Sequence, residues 1–221
     1  MIPWSLIDTA RAPGGGELRL MRRGSEFSIM LGGNELMNSR LGGSEAALAT
    51  IACQRLRTRA PRVLIGGLGM GFTLRAALAA LTADASITVA ELVPAVVAWA
   101  RGPMAEVLEG CLDDPRVGVL EADVGDLIGS ARSAYDAILL DVDNGPDGLT
   151  RQANDALYGL QGLHAARAAL RPAGVLAIWS SAADEKFLRR LRQTGFDVDE
   201  MRTRARATGR GARHVIWVAR K

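Results

Sequence analysis

The chain predicts an α/β protein: a mostly parallel sheet of seven strands with helices on both faces, entered through a small N-terminal β cap. Three observations carry this. From Arg62 onward, short apolar runs ("RVLIGG", "SITVAEL", "RVGVLEAD", "YDAILLDVD", "GVLAIWS") alternate with amphipathic segments, the pattern of buried parallel strands joined by crossover helices. The first run passes into "GGLGMG" directly before an alanine-rich segment, the glycine-rich strand-to-helix turn at which open α/β sheets bind ligands. The last two runs, "GFDVDEM" and "RHVIWVAR", are separated only by an arginine-rich loop, which suits an antiparallel pair at one sheet edge.

Residues 1–42 read as the cap, because "ELRLMRR" and "EFSIML" alternate like the strands of a hairpin or meander between glycine-rich turns. Residues 43–221 read as the main domain. Its leading helix lies in "GGSEAALATIACQRLRTR", where Ala47, Leu48, Ile51, Ala52 and Leu56 recur at helical spacing, with Ser44 as N-cap and Pro61 beyond the end. Further helices are expected near 72–82, 94–109, 123–130, 154–170 and 184–194. Counting only the strands of the main domain, the expected order is 3-2-1-4-5-7-6.

At 221 residues and 48% hydrophobic composition the chain can bury one sizeable core. The N-terminus lacks a basic stretch followed by an apolar one, and no apolar run is long enough to span a bilayer, so a cytoplasmic protein without membrane attachment is expected. Cys53 and Cys111 lie far apart without a CxxC or Cys/His spacing, which supports neither a disulfide framework nor a structural metal. The net charge is +3, and Lys186 and Lys221 are the only lysines. The arginines are densest near the C-terminus, without interleaved aromatics, which reads as a solvated basic edge and not as a nucleic-acid site. His164 and His214 have no metal-like partners and read as structural.

The chemistry concentrates at strand ends. Gly67, Gly69 and Gly71 occupy the first turn, and no Lys-Ser/Thr follows them, so a P-loop is excluded. A dinucleotide and a sulfonium nucleoside both remain open. Glu91 closes the second strand, where a carboxylate accepts both ribose hydroxyls of either ligand. Asp123 follows the third strand and serves either an adenine amino group or the next helix as its N-cap. Asp141 and Asp143 follow the fourth, where carboxylates can orient and deprotonate a nucleophile beside a sulfonium cation. Tyr158 and Trp179 fall near the same rim as candidate walls of an acceptor pocket. Three functions fit: group transfer from a sulfonium, nucleoside binding without catalysis, and nicotinamide-dependent oxidoreduction, the last disfavoured by the lack of a second substrate domain.

Five segments, in order, resemble the spermidine synthase family. "VLIGGLGMGFTLRAAL" is similar to that family's "LIIGGGDGGTLREVL", "TVAELVPAVVAWAR" to "VEIDPxVVEXAR", and "DDPRVGVLEADVGDLI" to "DPRVxxxxGDGxxFL". "YDAILLDVDNGPDGLT" is similar to "YDVIIxDSSDPxGPA", and "LYGLQGLHAARAALRPAGVLAIW" to "LFxxEFYxxxKxALKPGGVLxxQ". The resemblance implies a class I methyltransferase-like fold with an N-terminal β domain, a homodimer, and a transferase of polyamine biosynthesis. The co-substrate would be decarboxylated S-adenosylmethionine or S-adenosylmethionine, with no metal, and the acceptor a small-molecule nucleophile. Glu91 would hold the ribose and Asp123 the adenine, with Asp141 as catalytic carboxylate assisted by Asp143. Two departures concern the acceptor. Met70 replaces an aspartate in the glycine turn, and "GGNELMNSRLGGSE" keeps only Arg40 and Glu45 of "DGxxQxxxRDExxYHE". The nucleoside half is thus retained and the polyamine half altered.

Overall fold

Four short strands open the chain: β1 (Ser5–Arg11), β2 (Glu17–Arg23), β3 (Glu26–Leu31) and β4 (Asn34–Asn38) pair antiparallel in that order. The period of two turns Leu18 and Leu20 of β2, with Phe27 and Ile29 of β3, onto one face, where all four are buried. That sheet does not stand alone. Its apolar face joins the same core as Leu48 of the following helix and Val63 and Ile65 of the main sheet, and Trp99 Nε1 donates to Asp8 Oδ2 at 2.7 Å. The computed structural model describes residues 2–12, 15–142, 156–206, 208–209 and 211–221.

Helix α1 (Gly43–Cys53) leads into β5 (Arg62–Gly66), α2 (Phe72–Ala80), β6 (Ser86–Glu91), α3 (Pro94–Arg101), α4 (Ala105–Leu108), β7 (Val117–Glu121), α5 (Val124–Ser130) and β8 (Tyr135–Leu140). After the next described helix, α6 (Leu160–Ala169), come β9 (Leu170–Ser180), α7 (Glu185–Gln193), β10 (Asp197–Arg204) and β11 (Arg213–Arg220). The seven-stranded sheet runs β10-β11-β9-β8-β5-β6-β7. Read from the β7 edge, this is the expected order. The pairs among β5 to β9 are parallel, whereas β11 lies antiparallel to both its neighbours.

Central strands buried on both faces account for the unbroken apolar runs. Alternate residues divide between two cores: Val63, Ile65, Leu139 and Ala177 face α1 and the N-terminal sheet, while Leu64, Ile138 and Leu176 face Leu163 of α6 and Phe187 of α7. Cys53 and Cys111 are buried, and burial pushes both thiols up to about 11. No described helix is long and apolar enough to cross a membrane.

Two expectations fail locally. The helix expected over 94–109 is broken into α3 and α4 at Gly102 and Pro103, because proline has no N–H to continue the ladder and disfavours helical geometry in the residue before it. Ser44 is not an N-cap. Gly42 caps α1 without a side-chain bond, packed so closely that a Cβ there would lie 2.3 Å from the Phe72 ring. Ser44 instead turns inward and is fully buried.

Candidate active site

The carboxyl ends of β5, β6 and β8 meet under the N-terminal sheet, as the register demands: Gly66 pairs with Ala90 on one side and Leu140 on the other. Gly67, Gly69 and Gly71 all have positive φ. Gly67 is the most constrained by its surroundings. Its φ is +91°, and a Cβ there would lie 2.3 Å from the Asp141 carbonyl oxygen, so the turn can pass the end of β8 only as glycine.

Glu91 is buried at the tip of β6 and ties this turn in place. Its Oε2 accepts from the Leu68 N–H and its Oε1 from the Val93 N–H, both at 2.9 Å. Burial raises its pKa against the pull of these backbone donors. The backbone N–H groups of Gly69 and Leu92 also favour its ionised form. Asp123 is the N-cap of α5, its Oδ1 accepting from the Gly125 N–H at 2.8 Å, and it lines the same cavity as Glu91. That cavity, about 160 Å³, has Gly67, Gly69, Glu91 and Asp123 on its floor and Leu18 and Ile29 on its roof.

A second cavity, about 100 Å³, adjoins it and shares Leu36, Met37, Gly69 and Asp141. Its other lining includes Glu45, Met70, Phe72 and Trp179. Asp141 therefore stands on the common wall. Its Oδ2 accepts from Thr73 Oγ1 at 2.6 Å, and its pKa is raised to about 7, chiefly by burial and next by the negative charge of Glu45. Burial also raises the Glu45 carboxyl. Negative charge on Glu45 thus favours the protonated form of Asp141.

The structure brings Gly67, Gly69, Glu91, Asp123 and Asp141 to one cavity and Met70 and Trp179 to its neighbour. Tyr158 goes elsewhere. It is buried in the opposite core, edge-on to Phe187 with ring centroids 5.7 Å apart, and lines neither cavity. Asp143 lies outside the described residues. Sequence reasoning missed Thr73 and the network around Ser44, and it read His214 as structural, without a metal-like partner. In the fold Ser44 Oγ donates to Glu45 Oε2 at 2.6 Å and lies 2.8 Å from His214 Nδ1. Ser44 and His214 are 170 residues apart in the chain, so no local spacing signalled their contact.

Sheet order, glycine turn and acidic strand tips together define the class I methyltransferase-like fold. Within that fold the resemblance to the spermidine synthases, read in the motifs, is borne out. The chain is 34% identical over 122 residues to polyamine aminopropyltransferase 1 of Streptomyces coelicolor, a match covering 54% of this chain and 22% of that protein. It thus spans about a fifth of that relative's length. A spermidine synthase solved with the transition-state analogue AdoDATO superposes with a TM-score of 0.76 at 18% identity, and spermidine synthase from Thermotoga maritima with 0.78 at 19%. Each superposition covers 98% of this chain and 72% of the other. No protein-family model matches the chain.

Proposed function

We propose that the protein is a transferase that moves the aminopropyl group of decarboxylated S-adenosylmethionine to a small primary amine. The observation that carries this is electrostatic. Among the described residues the two adjoining cavities are lined by Glu45, Glu91, Asp123 and Asp141 and by no Lys, Arg or His. A donor with an intact α-carboxylate would place an anion among carboxylates with no cation among the described lining residues to pair it, a burial that costs several kcal/mol when uncompensated. A donor without that group brings only an ammonium and a sulfonium, which these walls favour. The same reasoning disfavours methyl transfer from S-adenosylmethionine.

In this reading the larger cavity takes the nucleoside, with Glu91 on the ribose and Asp123 toward the adenine, and the smaller one takes the amine. The amine enters as an ammonium ion and gives one proton to Asp141, because only the neutral amine has a lone pair to attack. The new N–C bond then forms as the C–S bond breaks. The bonding electrons leave with sulfur as a neutral thioether, and the positive charge ends on the product nitrogen. Asp143 remains the candidate assistant to Asp141.

Thermal denaturation with each donor at equal concentration tests the proposal, since a ligand bound to the native state raises the midpoint. Decarboxylated S-adenosylmethionine is expected to raise it and S-adenosylmethionine to do so far less; an equal or larger rise with the carboxylated donor would overturn aminopropyl transfer. Met70 supports a second reading, that of a non-catalytic homologue, because methionine offers nothing to an ammonium ion. Donor binding without transfer to putrescine or to a monoamine series would favour that alternative.

A further inference from the structure

Removal of the amine's proton leaves it on a buried acid pair, and it must leave that pair before the next turnover. We propose that Glu45, Ser44 and His214 form the proton route out of the acceptor cavity, passing the proton from the Glu45 carboxyl through the Ser44 hydroxyl to His214 Nδ1. The proposal rests on the transfer reading above.

From Glu45 outward the route is hydrogen-bonded, and Glu45 shares the cavity wall with Asp141. Glu45 lines the cavity beside Asp141, Ser44 Oγ lies 2.6 Å from Glu45 Oε2 and 2.8 Å from His214 Nδ1, and His214 is only partly buried. Ser44 itself is wholly enclosed, so water does not compete for its hydroxyl. A serine hydroxyl has one hydrogen and can donate to only one neighbour at a time. The chain therefore has two polarities. With Glu45 protonated, Glu45 donates to Ser44 and Ser44 to His214 Nδ1. With Glu45 ionised, Ser44 donates to Glu45 and His214 donates to Ser44. Moving one proton from carboxyl to imidazole interconverts them without displacing a heavy atom, and the balance closes: Glu45 loses a proton, Ser44 exchanges one for another, and His214 gains one that it yields to solvent.

His214 is suited to the outer position. Burial lowers its pKa, so near neutral pH it is an uncharged base able to accept. Trp179 fixes the ring edge-on, with centroids 4.8 Å apart, and itself walls the cavity. The charged groups nearest His214 on its own ladder are Arg204 and Arg213, which form the adjacent pair, while Glu45 faces it from α1 through Ser44. Burial opposes a lasting imidazolium, which favours release of the proton over its storage. Ser44 and His214 touch no reacting atom and are positioning residues.

Two measurements test the route. In turnover with decarboxylated S-adenosylmethionine and putrescine, His214→Ala is expected to slow transfer roughly ten-fold or more, and added imidazole to restore much of it, while the donor-induced rise in melting temperature stays at the wild-type value. Undiminished turnover, or a loss that imidazole does not repair, overturns the proposal. The second measurement needs no catalysis: ¹⁵N resonances of the His214 ring are followed from acid to alkaline pH in wild type, Ser44→Ala and Glu45→Gln. A second inflection from the acid pair is expected in wild type and absent from both variants; identical curves in all three overturn the route. If wild type transfers to no amine, the transfer reading fails by itself, and the resonance titration still decides whether the three groups exchange a proton.

Discussion

In the proposed transfer, Asp141 couples chemistry to stability. Its folded pKa of about 7 lies above the ordinary 3.8, so the folded chain binds this proton more tightly than the unfolded one. Its contribution to stability is therefore complete below the ordinary value and is lost as pH rises through about 7. Asp141→Asn removes the charge but leaves a carbonyl able to accept from Thr73. This variant is expected to melt higher than wild type at pH 8, with the gain shrinking toward pH 5, while transfer falls by about 10²- to 10⁴-fold. In wild type the transfer rate should rise with pH through about 7. A loss of melting temperature in Asp141→Asn at pH 8 would show that the carboxylate is not under this strain. At this scale the sequence was legible where a residue sits at a strand tip, as Glu91 and Asp141 do, because strand and turn patterns fix such positions. It was illegible for Ser44 and His214, whose contact joins a helix near the start of the chain to its last strand, and for Tyr158, whose ring follows the α6 side into the core instead of the rim.

The turn between β5 and α2 governs the site among the secondary elements. Gly67→Ala combines a left-handed backbone with a Cβ placed 2.3 Å from the Asp141 carbonyl oxygen. It should destabilise the fold by at least about 2 kcal/mol in urea titration and abolish the donor-induced rise in melting temperature. Retention of both would mean that the turn can shift away from β8. The glycines and the strand order could be read from the sequence because their causes are local: a backbone forced to φ > 0, and apolar runs of strand length. The break between α3 and α4 was equally local, marked by "RGPM", yet the strong apolar periodicity on either side of it hid the interruption. The start of α1 was misplaced for the opposite reason. Ser44 is a good capping residue in isolation, but tertiary packing of Gly42 on Phe72 and of Ser44 toward Glu45 overrides that preference.

The whole molecule is tied together by a core that the two sheets share. Leu20 of the N-terminal sheet is fully buried in the same cluster as Leu48 and Ile65. Leu20→Ala is accordingly expected to lower stability by about 2–5 kcal/mol and to leave one cooperative unfolding transition; a separate early transition of the N-terminal strands would contradict a shared core. The alternation of "ELRLMRR" announced the sheet, but its union with the main core could not be foreseen, since nothing local says which surface an apolar face will meet. The two enclosed thiols carry a practical consequence. With Cys53 and Cys111 kept protonated and covered, the native chain should resist maleimide at neutral pH, so a cysteine introduced at exposed Leu160 would take a fluorophore alone and report ligand-driven motion without first stripping the natural sulfhydryls.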